Sequence, residues 1–275
     1  MILLRRRTPD ADHHGRHGPS DERPCFFEVL LLRRNRGASF MAQAYVFPGG
    51  ATDDGEDART AAARELFEEA GILLARDAER DNADTLEAPS QDKLRAKILA
   101  GAPAEGVLAG AGLAWWTEAL VPWAHWITPS VEKKRFSARF FVIELPFGQE
   151  PSYDDRETVD LVWVTPAQAL ARSAELKLPP PQVRTFWELS ELTTIEAVLD
   201  AGRVRAEEPH PIMPRLAQLS SGAALLLPWD PEYTDAGTGE GTPLTYQPSW
   251  ATGPSRFTME AGAWIHGAPG STSAG

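Results

Sequence analysis

Three glutamates, Glu65, Glu68 and Glu69, crowd together in the stretch Arg64 to Gly71, with no lysine among them. At ~100° per residue on a helical wheel they fall within an arc of about 100°. Ala63, Leu66, Phe67 and Ala70 fall on roughly the opposite side, so one face suits a core and the other presents carboxylates. A solvated helix face would account for glutamates at this spacing, and Arg64, four residues before Glu68, offers a simple surface ion pair. Glu65 and Glu69, however, are also four apart and repel each other. The cost is ~0.2–0.5 kcal/mol if they are exposed. It grows to roughly 3 kcal/mol at about 5 Å in a partly dry site with an effective dielectric of ~20. A divalent cation removes that repulsion, and hard carboxylate oxygens select Mg²⁺ or Mn²⁺ over zinc.

Such a ridge needs a helix with fixed ends. Asp57 reads as its N-cap and Gly71 as the left-handed residue that stops it. The turn Phe47-Pro48-Gly49-Gly50 leads into it. Strands are expected at 2–4, 26–32 and 45–47, the second a continuous apolar run, and again at 71–74 after the helix. Residues 79–125 read as a mostly helical insert, clearest from Ser90 to the stop at Gly101, which then runs into Trp115, Trp116, Trp123 and Trp126. Strands follow at 135–145 and 157–164, then a helix at 166–172 and one longer helix within 178–202 that Gly202 ends. A strand at 222–227 and a hairpin within 256–266 close the pattern, and the tail beyond is expected to be disordered. Interleaved strands and helices predict an α/β chain with a mixed sheet covered by helices. We assign 1–230 to one domain and 231–275 to a C-terminal extension.

Composition narrows the partners. The chain has 275 residues, 43 % of them hydrophobic and 24 % charged, as in ordinary soluble domains. Its net charge of −12 argues against general nucleic-acid or anionic-membrane binding, yet leaves room for a small phosphorylated substrate held through a cation. The lone Cys25 allows no internal disulfide and reads as a packed thiol. The start MILLRRRTPD is not a signal peptide, and no apolar run approaches the ~18 residues of a span, so a soluble cytoplasmic protein is expected. His13, His14 and His17 lie in a polar loop with no carboxylate or cysteine frame for a metal.

The spacing Gly50, Glu56, Arg64-Glu65-Leu66-Phe67-Glu68-Glu69-Ala70-Gly71-Ile72 fits G-x5-E-x7-R-E-U-x-E-E-x-G-U, with U aliphatic, at every fixed position. The chain therefore resembles the Nudix hydrolases, and the order of elements around the box is similar to that family's α/β/α sandwich. The resemblance implies hydrolysis of a diphosphate linked to another moiety. It implies metal ligation by the Gly50 carbonyl, Glu65, Glu68 and Glu69, with one glutamate the general base, and catalytic roles for Arg64, Glu65 and Glu68. Arg64 pairs with Glu56 and orients the carboxylates, while Gly71 lets the chain turn.

The flanks EVLLLRRNRGASFMAQAYVFPGG and WITPSVEKKRFSARFFVIELP resemble the coenzyme A diphosphatase branch, the peroxisomal acyl-CoA diphosphatases in particular. The chain departs from CoA-cleaving relatives where Ser39 and Gln43 replace an arginine and a glycine, and where Ser137 replaces an acid. It also ends without a peroxisomal tripeptide. A CoA 3′-phosphate calls for cations, and two basic groups stand out: Arg33, Arg34 and Arg36, and Lys133, Lys134, Arg135 and Arg139. Both could equally be solvated strand ends. Arg34, Phe47, Trp126, Lys134 and Arg135 are taken as substrate-binding candidates. The alternatives are ADP-ribose, NADH or a nucleotide sugar as substrate, or a sensing domain that binds without cleaving. A homodimer is a family-level expectation.

Overall fold

The computed structural model describes residues 1–7, 24–37, 42–78, 88–132, 135–154, 157–220, 222–260 and 263–267. Residues 8–23 of the polar loop expected over 8–24, its histidines, Ser39, Lys133, Lys134 and the tail beyond Gly267 lie outside them. In chain order the elements are β1 (Ile2–Arg6), β2 (Phe27–Arg34), β3 (Tyr45–Val46), α1 (Ala58–Ala70), β4 (Ala75–Asp77), α2 (Ala88–Leu99), α3 (Ala104–Ala109) and β5 (Leu113–Trp115). They continue with β6 (Val121–Ile127), β7 (Ser137–Glu144), β8 (Thr158–Val164), α4 (Pro166–Ala171), α5 (Ser173–Leu176), α6 (Pro180–Ser190) and α7 (Ile195–Glu207). The last strands are β9 (Pro211–Ile212), β10 (Arg215–Leu219), β11 (Gly222–Leu226), β12 (Arg256–Glu260) and β13 (Ala263–Gly267). The chain divides into two compact units. The first takes Met1–Val121, Phe141–Thr165 and Thr193–Leu199; the second takes Pro122–Phe140, Pro166–Leu192 and Asp200–Gly275.

In the first unit the apolar run of β2 forms the centre of a mixed sheet. β2 pairs antiparallel with β1, β3 and β8, and β1 pairs parallel with β7 through Ile2 opposite Val142. Val29 to Leu32 are all fully buried, as a strand covered on both faces requires. Leu3, Leu30, Leu32 and Ile143 share one core with Ala63, Leu66, Phe67 and Ala70 of α1, which fixes the helix's carboxylate face away from the sheet. Burying Leu66 and Phe67 contributes about 1.5–3 kcal/mol each.

In the second unit β10 to β13 form an antiparallel meander, which includes the expected hairpin of β12 and β13. β6 pairs parallel with β9, Trp126 opposite Ile212. Among the described residues no helix is long and apolar enough to cross a membrane.

Three expectations need correction. The strand placed at 71–74 begins only at Ala75, because Gly71 is left-handed and the Gln149 side chain takes both main-chain groups of Leu73, each at 2.8 Å. The insert is helical in α2 and α3 but also contains β5, which pairs antiparallel with β4 just before the insert, and its end is the start of β6. The single helix ending at Gly202 is two helices. Thr194 caps a new start, its Oγ1 accepting from Ala197 N at 3.2 Å, and α7 runs through the buried Gly202 to Glu207. Packing there outweighs the ~1 kcal/mol that glycine costs a helix.

Candidate active site

The carboxylate helix begins and ends as its sequence demands. Asp57 accepts from Arg59 N at 2.8 Å and Thr60 N at 3.1 Å, and Gly71 closes α1 at φ 71° with its N–H on the Phe67 carbonyl. Between them Arg64, only 8 % exposed, organises the charges. Its Nε and Nη2 make a fork with Glu56, both at 3.0 Å, and Nη2 also donates to the Ala51 carbonyl at 2.8 Å. Nη1 donates to Glu65 at 3.0 Å and to Glu68 at 3.3 Å. The predicted Glu56–Arg64 pair thus ties the loop to the helix. Hydrogen bonds to Glu56 raise the Arg64 pKa above its ordinary value against the opposing effect of burial. Burial works against the Glu56 anion, yet the bonds from Arg64 hold its carboxyl below the usual range.

Gly50 meets the carboxylate ridge directly. A Cβ there would lie 2.3 Å from Glu65 Oε1, so a side chain at this position would displace the Glu65 carboxylate. Its neighbour Gly49, at φ 151°, donates its N–H to Glu69 Oε2 at 2.8 Å. That anchor was not singled out in the sequence; the first glycine of the Pro-Gly-Gly turn was its only signal. Glu157, just before β8, also went unnoticed, although its charge acts on both Glu65 and Glu69.

Burial dominates the protonation of the ridge. It pushes Glu65 up to about 7, with Arg64 opposing and Glu68 adding to the shift. It pushes Glu69 up to about 8, opposed by the Gly49 N–H and reinforced by Glu65 and Glu157. Glu56, Glu65 and Glu68 therefore share one guanidinium while Glu69 has the Gly49 N–H, and desolvation raises Glu65 and Glu69 towards their protonated forms.

Among the described residues no group of three or more His, Cys, Asp and Glu forms a ready-made metal cage. The reason is visible in the bonding: Arg64 engages Glu65 and Glu68, while Glu69 turns to Gly49. The donor set nevertheless fits a hard divalent cation. It is all oxygen, carries excess negative charge, and lies beside a glycine cradle that a side chain would fill.

Comparison with known proteins decides what this arrangement is. The family model described as the NUDT19 Nudix domain matches residues 55–192, which include Glu56 and the whole of α1. The chain belongs to the NUDT19 Nudix family. It is 31 % identical over 196 residues to the Caenorhabditis elegans protein named nudix hydrolase 7, covering 68 % of this chain and 62 % of that one. The chain thus spans less than two thirds of that relative's length. It is 27 % identical over 276 residues to acyl-coenzyme A diphosphatase NUDT19 of Xenopus laevis, covering 76 % of this chain and 72 % of that protein. A crystal structure of a Nudix hydrolase from Alicyclobacillus acidocaldarius superposes with a TM-score of 0.56 at 26 % identity, over 72 % of this chain and 93 % of that one. The fold is the mixed α/β Nudix fold, and the family implies a divalent metal.

The expected substrate-binding residues fare unevenly in this NUDT19-family chain. Phe47 is 6 % exposed at the start of the turn, in the same unit as the box. Arg34 ends β2; the Nε atoms of Arg33 and Arg34 are buried without a hydrogen-bond partner among the described residues, although Arg33 Nε pairs with Asp160 at 3.7 Å. Gln43 has φ 63°, a backbone conformation that glycine favours, and holds the Arg34 carbonyl through Nε2 at 3.2 Å. Trp126 and Arg135 belong to the second unit; Trp126 is 4 % exposed in β6, and Arg135 reaches Glu240 at 3.4 Å. Lys134 lies outside the described residues. Trp115 packs edge-on against Phe67 at 6.4 Å as part of the core. Burial raises the Cys25 pKa and its thiol donates to the Phe27 carbonyl, consistent with a packed side chain.

Proposed function

We propose that the protein is a metal-dependent diphosphatase that hydrolyses CoA or acyl-CoA. The observation that carries this reading is the intact carboxylate ridge of α1, held by Arg64 against Gly50, in a chain of the NUDT19 family. The names of the vertebrate relatives support the choice of substrate, and Arg33 and Arg34 offer cations for a phosphate. Glu65, Glu68, Glu69 and the Gly50 carbonyl would hold Mg²⁺ or Mn²⁺. When bound, that ion neutralises the diphosphate and makes water more acidic.

The residues of the chain do the rest. Arg64 keeps Glu65 and Glu68 side by side, and the Gly49 N–H holds Glu69 beside them. The oxygen of a water molecule attacks a diphosphate phosphorus, the bridging P–O bond breaks, and a glutamate of the ridge takes the water's proton. The products are 3′,5′-adenosine bisphosphate and (acyl-)phosphopantetheine. No covalent enzyme intermediate is required.

A panel of CoA, acyl-CoAs, NADH, ADP-ribose and nucleotide sugars, each with Mg²⁺ and with Mn²⁺, tests the proposal by product mass. Adenosine bisphosphate from CoA or its thioesters at the highest kcat/KM is expected. Preferred cleavage of ADP-ribose or NADH, with CoA left intact, would overturn it.

A further inference from the structure

A second buried arginine, outside the Nudix box, grips the same helix. Arg95 lies on α2 in the helical insert and is 8 % exposed. Its Nε and Nη2 both donate to the main-chain carbonyl of Glu68, at 3.0 and 2.8 Å. Nη1 donates to Ser152 Oγ at 2.7 Å, and Nη2 also reaches the Ser152 carbonyl at 3.0 Å. These acceptors are neutral, and the carboxylates of Asp154 and Asp92 act on the guanidinium only through space. A charge buried in this way is costly unless something compensates it.

The compensation comes from the end of α1. The last carbonyls of a helix carry partial negative charge, and α1 has no basic residue in its own last turn. These carbonyls are taken up from outside the helix. The Phe67 oxygen accepts from Gly71 N at 3.0 Å, the Ala70 oxygen from Ser152 N at 2.9 Å, and the Glu68 oxygen from Arg95. Gly71 makes the approach possible, since a Cβ there would lie 2.9 Å from Arg95 Nη1 and 2.8 Å from Ser152 Oγ. The box glycine therefore does two jobs: it supplies the left-handed turn and it clears the path for an arginine from the insert.

We propose that Arg95 is a positioning residue for the Nudix carboxylates. It fixes the main chain at Glu68, while Arg64 holds the Glu68 side chain. Glu68 and Glu69 hang from the turn that Arg95 clamps, so loosening it displaces two carboxylates together. The inference rests on the reading that these carboxylates hold a divalent cation.

The test is a Mn²⁺ titration of the substrate-free full chain, followed by the paramagnetic resonance of free Mn²⁺, alongside kcat and KM at saturating metal. Arg95→Met is expected to weaken Mn²⁺ binding by about 10- to 100-fold and to lower kcat by a similar factor, with little change in KM. Arg95→Lys keeps the charge and one donor, and should recover part of both losses. Parent-like Mn²⁺ affinity and kcat in folded Arg95→Met would overturn the proposal, as would a loss confined to KM or a lysine variant no better than methionine. If Arg95→Met does not fold, Arg95→Lys carries the test, with weakened Mn²⁺ binding expected and parent-like binding overturning the proposal. Glu69→Gln separates the two levels of inference. Unchanged Mn²⁺ binding in that variant sinks the metal reading itself. Lost binding there, with retained binding in Arg95→Met, sinks only the role of Arg95.

Discussion

Each unit of this protein buries an arginine–glutamate cluster, and the two are built on opposite principles. In the second unit Glu188 accepts from Arg184 at 2.7 Å and from Trp123 Nε1 at 3.1 Å, and it forms an ion pair with Arg205 at 3.1 Å. The surplus positive charge is absorbed there. Arg184 lies over the rings of Trp187 and Trp229 at 4.6 and 4.8 Å, Arg205 lies over Trp123 at 4.2 Å, and the carbonyls of Pro254 and Trp250 take further donors. In the first unit the surplus is negative, offset only in part by the buried Met1 amino group, which acts through space on Glu65 and Glu69. Arg64 is the sole cation bonded to Glu56, Glu65 and Glu68 among the described residues, and Glu69 has only a main-chain N–H. A saturated cluster reads as architecture. An unsaturated one waits for a ligand of the missing sign.

The sharpest way to break this contrast is to neutralise one glutamate in each. Glu69→Gln should lower turnover by about 100- to 10,000-fold, the range for loss of a positioned acid–base or ligand group. Its melting temperature should not fall, because the amide removes a buried, poorly compensated charge and its oxygen can still accept from Gly49. Glu188→Gln should behave in reverse. Breaking a buried, bonded ion pair costs about 3–5 kcal/mol of stability, while kcat per folded molecule is retained. Thermal denaturation and active-site-normalised kinetics on both variants check the pair. Large destabilisation by Glu69→Gln, with turnover intact, would erase the distinction.

A pH series on metal-free protein sharpens it further. Glu65 and Glu69 titrate near 4.5 when unfolded and near 7 and 8 when folded. Between those values the folded state keeps protons that the unfolded state has released, so stability must fall as pH rises from about 4.5 towards 8. The slope is at most about 1.4 kcal/mol per pH unit for each carboxylate. Saturating Mg²⁺ should flatten the fall, because it favours the ionised form. Melting curves in EDTA and in Mg²⁺ from pH 5 to 9 measure the difference; identical profiles would remove the cation from the argument.

How much of this was legible beforehand depends on sequence distance. The ridge, its apolar back, the Asp57 cap and the Glu56–Arg64 pair all fall within one short window, where helical periodicity and fixed spacing carry the information. Arg95, Gly49 and Glu157 reach the ridge from other segments, and no pattern near Glu68 or Glu69 announces them. Glycine misled the reading at Gly202, where a buried helix position needs no side chain, although the Thr194 cap was present in the sequence and could have divided the two helices. At Gln43 a left-handed backbone persists without glycine, which composition alone cannot reveal.

The smallest effect concerns how the carboxylate helix starts. α1 is capped by a side chain, whereas α6 in the second unit begins with prolines and no side-chain cap. Asp57→Ala leaves the amides of Arg59 and Thr60 without their acceptor and should cost about 1 kcal/mol. Hydrogen bonds from Thr60 hold the Asp57 pKa below its ordinary 3.8 against the opposing effect of burial. Its contribution is therefore complete above that value and is lost only as pH falls through the depressed folded pKa. Between pH 5 and 9 the cost of Asp57→Ala should be constant, while the Glu65 and Glu69 signal slopes through the same window. Denaturant melts of the variant at several pH values separate the two. A cost that changed across this range would mean that the cap and the ridge are electrically coupled, and that the helix start takes part in tuning the carboxylates it carries.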